Sequence, residues 1–435
     1  MARELTHRRV LAIALPIVLS NATVPLLGAV DTGVVGQMGQ AAPIGAVGVG
    51  AVVLASIYWI FGFLRMGTSG MVAQARGAGD AAETGAILTR ALLIGGAAGA
   101  AAILLQVPLF WAAFRLAPAS ADVERLSRLY LSIRIWGAPA AISIYAVTGW
   151  LIAMERTRGV LILQLWMNAL NIGLDLWFVL GLGWGVPGVA VATLISEWTG
   201  VLLGLWLCRA AFGGAQWHDW GRIFNRERLR RMVSVNADIM VRSMLLQGAF
   251  TAFTFIGARF GDRTLAANQV LMQFIEITAY ALDGFAFAAE SLVGQAMGAR
   301  APLTLRRAAI LTSQWGAAGS VALALAFAVL GPHLIDLMAT DPGVRETARH
   351  YLPWVVAAPI VGVASWMFDG IFIGATMTRA MVQAMAVSVA LYAVSLFTLL
   401  PLWGNTGLWA ALMILNTARG LTMAAWYPAI ERRAA

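Results

Sequence analysis

Eight carboxylates stand inside otherwise apolar stretches of this chain: Asp31, Asp175, Glu197, Asp238, Glu276, Asp283, Glu290 and Asp369. An ionisable side chain at the centre of a bilayer costs about 2.5 to 3.5 kcal/mol on insertion scales, so each one needs a partner or a task. Four arginines, Arg65, Arg134, Arg242 and Arg419, share those stretches. Acid therefore exceeds base two to one, which suits protons, metal cations or organic cations better than anions. Asp238 and Arg242 lie four residues apart on one helical face, and the expectation there is a structural ion pair in which they neutralise each other.

The other carboxylates come with polar company at helical spacing. Asn168, Asn171 and Asp175 recur at intervals of three and four, a stripe down one side of an apolar helix that should line a cavity. Gln269, Gln273, Glu276, Tyr280, Asp283 and Glu290 form a second stripe, expected as the counterpart wall in the other half of the chain. Asp31 follows Pro25 by six residues. Pro25 cannot donate to the carbonyl four positions earlier, so the helix should bend there, and protonating a carboxylate beside a bend is a means of switching it.

The elements that must position these residues are membrane helices. Of 435 residues, 60% are hydrophobic and 12% charged, and the mean hydropathy is +0.78. About 20 apolar residues make one span, so the chain has room for about 12 spans and little else. Apolar runs fall at approximately 10–35, 46–72, 86–114, 129–153, 160–182, 186–207, 232–256, 265–293, 308–330, 351–373, 381–402 and 406–427. Barrel strands would alternate over short segments, and these runs do not.

Charge orients the runs and removes several function classes. The 30 basic residues are all arginine, against 21 acidic. Without lysine there is neither a G-x-x-x-x-G-K phosphate loop nor a Schiff-base lysine. Arginines gather at both termini and after even-numbered runs, which places both termini in the cytoplasm. They sit at the ends of apolar runs rather than on a basic face, so nucleic acid is not an expected partner. A single cysteine, Cys208, and four histidines outside the runs offer no metal site. No catalytic constellation is found, and no enzyme activity is expected. Gly183, Gly185 and Gly188 satisfy G-x-G-x-x-G, but between two apolar runs and with Pro187 they read as a tight turn.

The chain repeats itself. "RMGTSGMVAQARGAG" ends the second run and "FAAESLVGQAMGAR" the eighth, aligning Gln74 with Gln295 and Gly77 with Gly298. "WGVPGVAVA" opens the sixth run and "WGNTGLWAA" the twelfth, aligning Gly188 with Gly407. Nearly one offset serves both, so two six-span repeats share one orientation about an axis along the membrane normal. The expected organisation is an N-lobe over 1–212, a cytoplasmic linker over 213–228 and a C-lobe over 229–435.

These segments, with "LPIVLSNATVPLLGAVDTGVVGQMG", "NALNIGLDLWFVLGLGWGVPGVAVAT" and "DGIFIGATMTR", resemble the multidrug and toxic compound extrusion (MATE) transporters, in particular the DinF-like branch. The resemblance covers nearly the whole chain. It implies an all-α integral membrane protein of 12 transmembrane helices in two pseudo-symmetric six-helix lobes. It also implies export of amphiphilic or cationic compounds by alternating access, against inward proton or sodium flow. By position, Asp31 matches the first-helix carboxylate, and Asn171 and Asp175 match the fifth-helix pair of the first-lobe cation network, which Tyr130 and Thr193 join. Asp369 resembles the tenth-helix carboxylate of the sodium-driven, NorM-like branch. That branch's seventh-helix glutamate has no counterpart at 244–247, which favours protons over sodium.

The expectation is an inner-membrane, monomeric, proton-coupled antiporter for small organic molecules, with membrane lipids as its other partner and no cofactor beyond the transported ion. Asp31, Asn171, Asp175, Tyr130 and Thr193 are its coupling residues. Asn168, Gln273, Glu276, Asp283, Glu290 and Asp369 are cavity or second-lobe candidates. The rival reading is a lipid-linked saccharide flippase of related fold, against which the excess of acid over arginine counts.

Overall fold

The computed structural model describes residues 5–24, 33–34, 36–37, 41–116, 120–213 and 215–435. Among these, eleven helices are long and apolar enough to cross a membrane, and no strand occurs. The twelfth expected span, 10–35, is described as helix α1 over His7–Ala22. Pro25 and Asp31 lie outside the described residues.

The first half continues with α2 (Ala41–Trp59), α3 (Phe63–Gly77), α4 (Ala81–Leu104), α5 (Gln106–Leu116), α6 (Ala121–Arg134), α7 (Ala138–Ala153), α8 (Thr157–Asp175) and α9 (Val186–Leu207). A short α10 (Trp220–Ile223) precedes six long helices: α11 (Arg226–Gly257), α12 (Asp262–Gly298), α13 (Pro302–Met338), α14 (Pro342–Gly374), α15 (Thr378–Trp403) and α16 (Asn405–Ala434). At 37 residues each, α12 and α13 are about 55 Å long and outreach the hydrocarbon layer.

Prolines explain where hydropathy misjudged the helices. The run 86–114 is two helices, because Pro108 has no N–H for the Leu104 carbonyl. Beside the break, the Gln106 side chain donates to the Ile103 carbonyl at 2.9 Å. The run 129–153 likewise bends through a 3-10 turn at Ile135–Gly137, ahead of Pro139. Between α8 and α9 the chain reverses on Gly183 and Gly185, whose φ values of +68° and +63° suit glycine.

Backbone proximity groups the chain into two compact units, and chain order does not give their membership. One unit takes Met1–Val18, Ala73–Gly79 and Val233–Ala435; the other takes Leu19–Val72 and Asp80–Met232. In this second, N-terminal unit the inter-repeat segment is tied to α4. Arg90 donates to the carbonyls of Ile223 and Arg222 and to Glu83, each at 2.8 Å. Arg222 reaches Asp80 at 3.1 Å.

The C-terminal unit packs aromatic rings edge to face, Phe253 on Trp409 and Phe274 on Phe327. Asn268 and Asn405 exchange amide hydrogen bonds of 2.8 and 3.1 Å there, and the Trp409 indole donates to Asn268 at 3.0 Å. Buried polar groups are thus satisfied by one another.

The internal repeat is visible in the backbone. Gly185 (φ +63°, ψ −137°) and Gly404 (φ +54°, ψ −129°) adopt one unusual conformation, each immediately before the helix its motif opens. In the C-terminal unit the other motif pair meets itself: a Cβ on Gly77 would strike the Gln295 carbonyl, and one on Gly298 would strike the Gln74 carbonyl. The reciprocity is what a local two-fold relation between equivalent residues produces.

Candidate functional site

The N-terminal unit holds a cavity of about 270 Å³ between α2, α6, α8 and α9. Three kinds of residue line it. Ala51, Leu54, Ala55 and Met167 are apolar; Tyr58, Tyr130, Gln164, Asn168, Asn171, Thr193 and Ser196 are polar; Arg134 and Glu197 are charged. Apolar surface met by convergent polar groups is a usual build of a small-molecule site, and here the polar groups are the more numerous.

Asn168 and Asn171 of the α8 stripe face this cavity, and Asp175 is off its wall. Asn168 donates to the Thr23 hydroxyl at 2.9 Å and accepts from Gln164 at 2.9 Å. One turn on, Asn171 donates to the Thr193 hydroxyl at 3.0 Å, and that hydroxyl donates to the Val189 carbonyl at 3.0 Å. Asp175 ends the helix one turn further and is completely buried (0% exposed); a π-helical turn over Leu176–Gly181 follows it. Tyr130 reaches the same cavity from α6 and accepts from Arg134 Nε at 3.4 Å. Of the five expected coupling residues, Tyr130, Asn171 and Thr193 are on this wall, Asp175 lies one turn past Asn171 and off it, and Asp31 lies outside the described residues.

Arg134 and Glu197 stand in the sequence as intramembrane charges with no expected role. The structure joins them across 63 residues in a 2.7 Å ion pair on the cavity wall. No spacing rule links α6 to α9, so only the oversupply of charge in those runs pointed to them. Tyr58 was missed altogether, being one aromatic among many.

In the C-terminal unit the expected pair of Asp238 with Arg242 does not form. Arg242 instead pairs with Asp369 of α14, whose Oδ2 also accepts from Arg419 of α16 at 2.8 Å. Asp238 accepts from the Thr378 hydroxyl at 2.8 Å. Spacing of four brings two residues to one helix face, but the long arginine side chain reaches a carboxylate on a neighbouring helix. A carboxylate shared by two guanidinium groups is already over-neutralised, which leaves it poorly suited to hold a further cation.

The α12 stripe is divided by burial. Gln273 and Glu276 are exposed, Asp283 is half-buried and Glu290 is fully buried. Around Glu290 the helices α12 and α14 cross closely, since a Cβ on Gly370 would meet the Ala286 carbonyl and one on Gly374 the Glu290 carbonyl. Gln273 and Glu276 therefore lie on the face turned from the unit's own core, and Glu290 lies inside a helix crossing. Among the described residues no three His, Cys, Asp or Glu side chains stand close enough to share a metal ion.

Outside the spans, Cys208 caps α9 and is fully buried. Burial pushes its thiol up to about 12, with Arg156 pulling weakly the other way.

The helices and the charged, cavity-bearing unit define a multi-pass membrane protein built from two related halves. The MatE family model matches the chain twice, over residues 16–177 and 239–398, in step with the repeat. The chain is 40% identical to DNA damage-inducible protein F of Escherichia coli (strain K12), over 95% of this chain and 90% of that protein. It is 26% identical to a probable multidrug resistance protein NorM of Synechococcus, over 92% and 89%. Among solved structures, an outward-facing multidrug resistance MATE family transporter of the MOP superfamily superposes with a TM-score of 0.88 at 18% identity, covering 98% of this chain and 96% of that one. A Vibrio cholerae MATE transporter in the bent form gives 0.86 at 20% identity, covering 98% and 97%. The chain belongs to the MATE transporter family.

Proposed function

We propose that this protein is a proton-coupled efflux antiporter that exports amphiphilic, cationic organic compounds by alternating access, with the proton carried by Asp31 and Asp175 in the N-terminal half. The observation that carries the reading is the contrast between two carboxylates inside the spans. Asp369 is held by both Arg242 and Arg419, whereas Asp175 is completely buried one helical turn beyond Asn171, which lines a cavity. A carboxylate must be able to give up its counter-charge to carry a proton or cation, and that favours the N-terminal route over sodium at Asp369. Relatives named as multidrug resistance proteins support the cargo class.

On this reading the protein works as a monomer in the inner membrane, with both termini in the cytoplasm, takes no cofactor and leaves its cargo chemically unchanged. The test is ethidium-dependent proton movement in proteoliposomes. Proton-driven ethidium transport that Asp175→Asn and Asp31→Asn each abolish, and that omitting sodium leaves intact, is the expected result. Transport that follows a sodium gradient and survives both substitutions overturns it.

A further inference from the structure

Arg134 and Glu197 have no part in the proton route above, yet they are the only charged side chains among the described residues that line the N-terminal cavity. They are 8% and 7% exposed. Glu197 commits one oxygen, Oε2, to the Arg134 guanidinium at 2.7 Å, and among the described residues its Oε1 takes no hydrogen bond. Gly137 permits this approach, because a Cβ there would strike Oε2 as the carboxylate passes over the bend between α6 and α7. On the same wall the Tyr58 hydroxyl is buried and, among the described residues, has no hydrogen-bond partner. It lies within electrostatic reach of Glu197, Arg134 and Tyr130.

Resting on the efflux reading, we infer that Glu197 is the carboxylate that receives the cationic group of the cargo, and that Arg134 is an internal cation holding that place until the cargo arrives. A buried carboxylate cannot lose one cation without gaining another, so a neutral molecule has no means of displacing Arg134. A guanidinium is planar, delocalised and weakly hydrated, which makes it a fair likeness of an aromatic or quaternary organic cation. The displaced guanidinium has somewhere to go: Tyr130 already accepts from Nε at 3.4 Å, and the unused Tyr58 hydroxyl is an acceptor on the same wall. The pair thus selects for charge, while the apolar surface of Leu54, Ala55 and Met167 takes the cargo's body. Asp175, at 0% exposed and off the cavity lining, is left to the proton.

Ethidium binding to the detergent-purified protein, read by fluorescence anisotropy at neutral pH, tests the assignment. R134Q/E197Q removes both charges together, so no buried charge is stranded and the melting temperature stays at the wild-type value. It should weaken ethidium binding by about tenfold or more. R134Q alone strands Glu197, so ethidium, as the replacement cation, should raise the melting temperature of R134Q by more than it raises that of the wild type. A double variant that binds within about twofold of wild type overturns the inference, as does an R134Q whose melting temperature ethidium raises no more than it raises that of the double variant. Transport separates this from the efflux reading. Wild-type protein that loses ethidium binding on the double substitution, yet never moves ethidium against a proton gradient, sinks the coupling and leaves Glu197 standing. Proton-driven transport unchanged in the double variant does the reverse.

Discussion

Replacing Gly298 with alanine puts a methyl group into the Gln74 carbonyl, far inside van der Waals contact, at the point where the two copies of the repeated motif meet. The obstacle is backbone, so no rotamer change relieves it, and α12 or the end of α3 must move bodily. Overpacking of this kind costs about 1 to 3 kcal/mol, occasionally more. Alanine returns at most about 1 kcal/mol through helix propensity, and less at a helix end. The net loss for Gly298→Ala is therefore about 1 to 2 kcal/mol. Gly77→Ala should lose a similar amount against the Gln295 carbonyl. Gly96, with nothing within 4 Å of its would-be Cβ, is the control: Gly96→Ala keeps only the propensity gain and should be neutral or slightly stabilising. Thermal unfolding of the four proteins in one detergent ranks them. Because both clashes sit on one crossing, separating the helices for the first methyl makes room for the second, and the double variant should cost less than the sum of the singles. Single variants that melt with or above Gly96→Ala would refute the close crossing. Strict additivity would show that the two glycines do not share one.

Two further outcomes follow from the charges and the thiol. Asp369→Asn leaves the buried Arg242 and Arg419 without their common carboxylate, an uncompensated loss of about 3 to 5 kcal/mol that should appear as reduced folded yield and a lower melting temperature; full yield would mean the cluster opens to water. Cys208, its thiol held near 12 by burial, stays un-ionised across neutral pH, and because the thiolate is the nucleophile it should resist maleimide until the protein is unfolded. Labelling of the native protein at the rate of an exposed thiol would contradict that burial.

Much of this protein is local and therefore legible in its residues. Hydrophobic runs long enough to span a bilayer have one solution, a helix, because nothing in the hydrocarbon can satisfy an open backbone. The Asn168, Asn171 and Asp175 stripe is a statement about helical pitch, while the cavity against Asn168 and Asn171 took the packing of three other helices. Repetition was equally plain, since Gly185 and Gly404 serve one backbone conformation. Pitch also misled: it put Asp238 beside Arg242, but a side chain as long as arginine is decided by which helices pack around it, and α14 and α16 supplied Asp369 and the competing Arg419. The α12 stripe was right in phase and silent on depth, since burial of Glu290 depends on the glycines of α14 that let that helix close over it. The sequence by itself determined the helices, their repeat and the polar face that needed a cavity. Only the tertiary structure decided which charges meet, above all Arg134 with Glu197, because ion pairs between helices distant in the chain are fixed by packing and leave no periodic trace in the residues that form them.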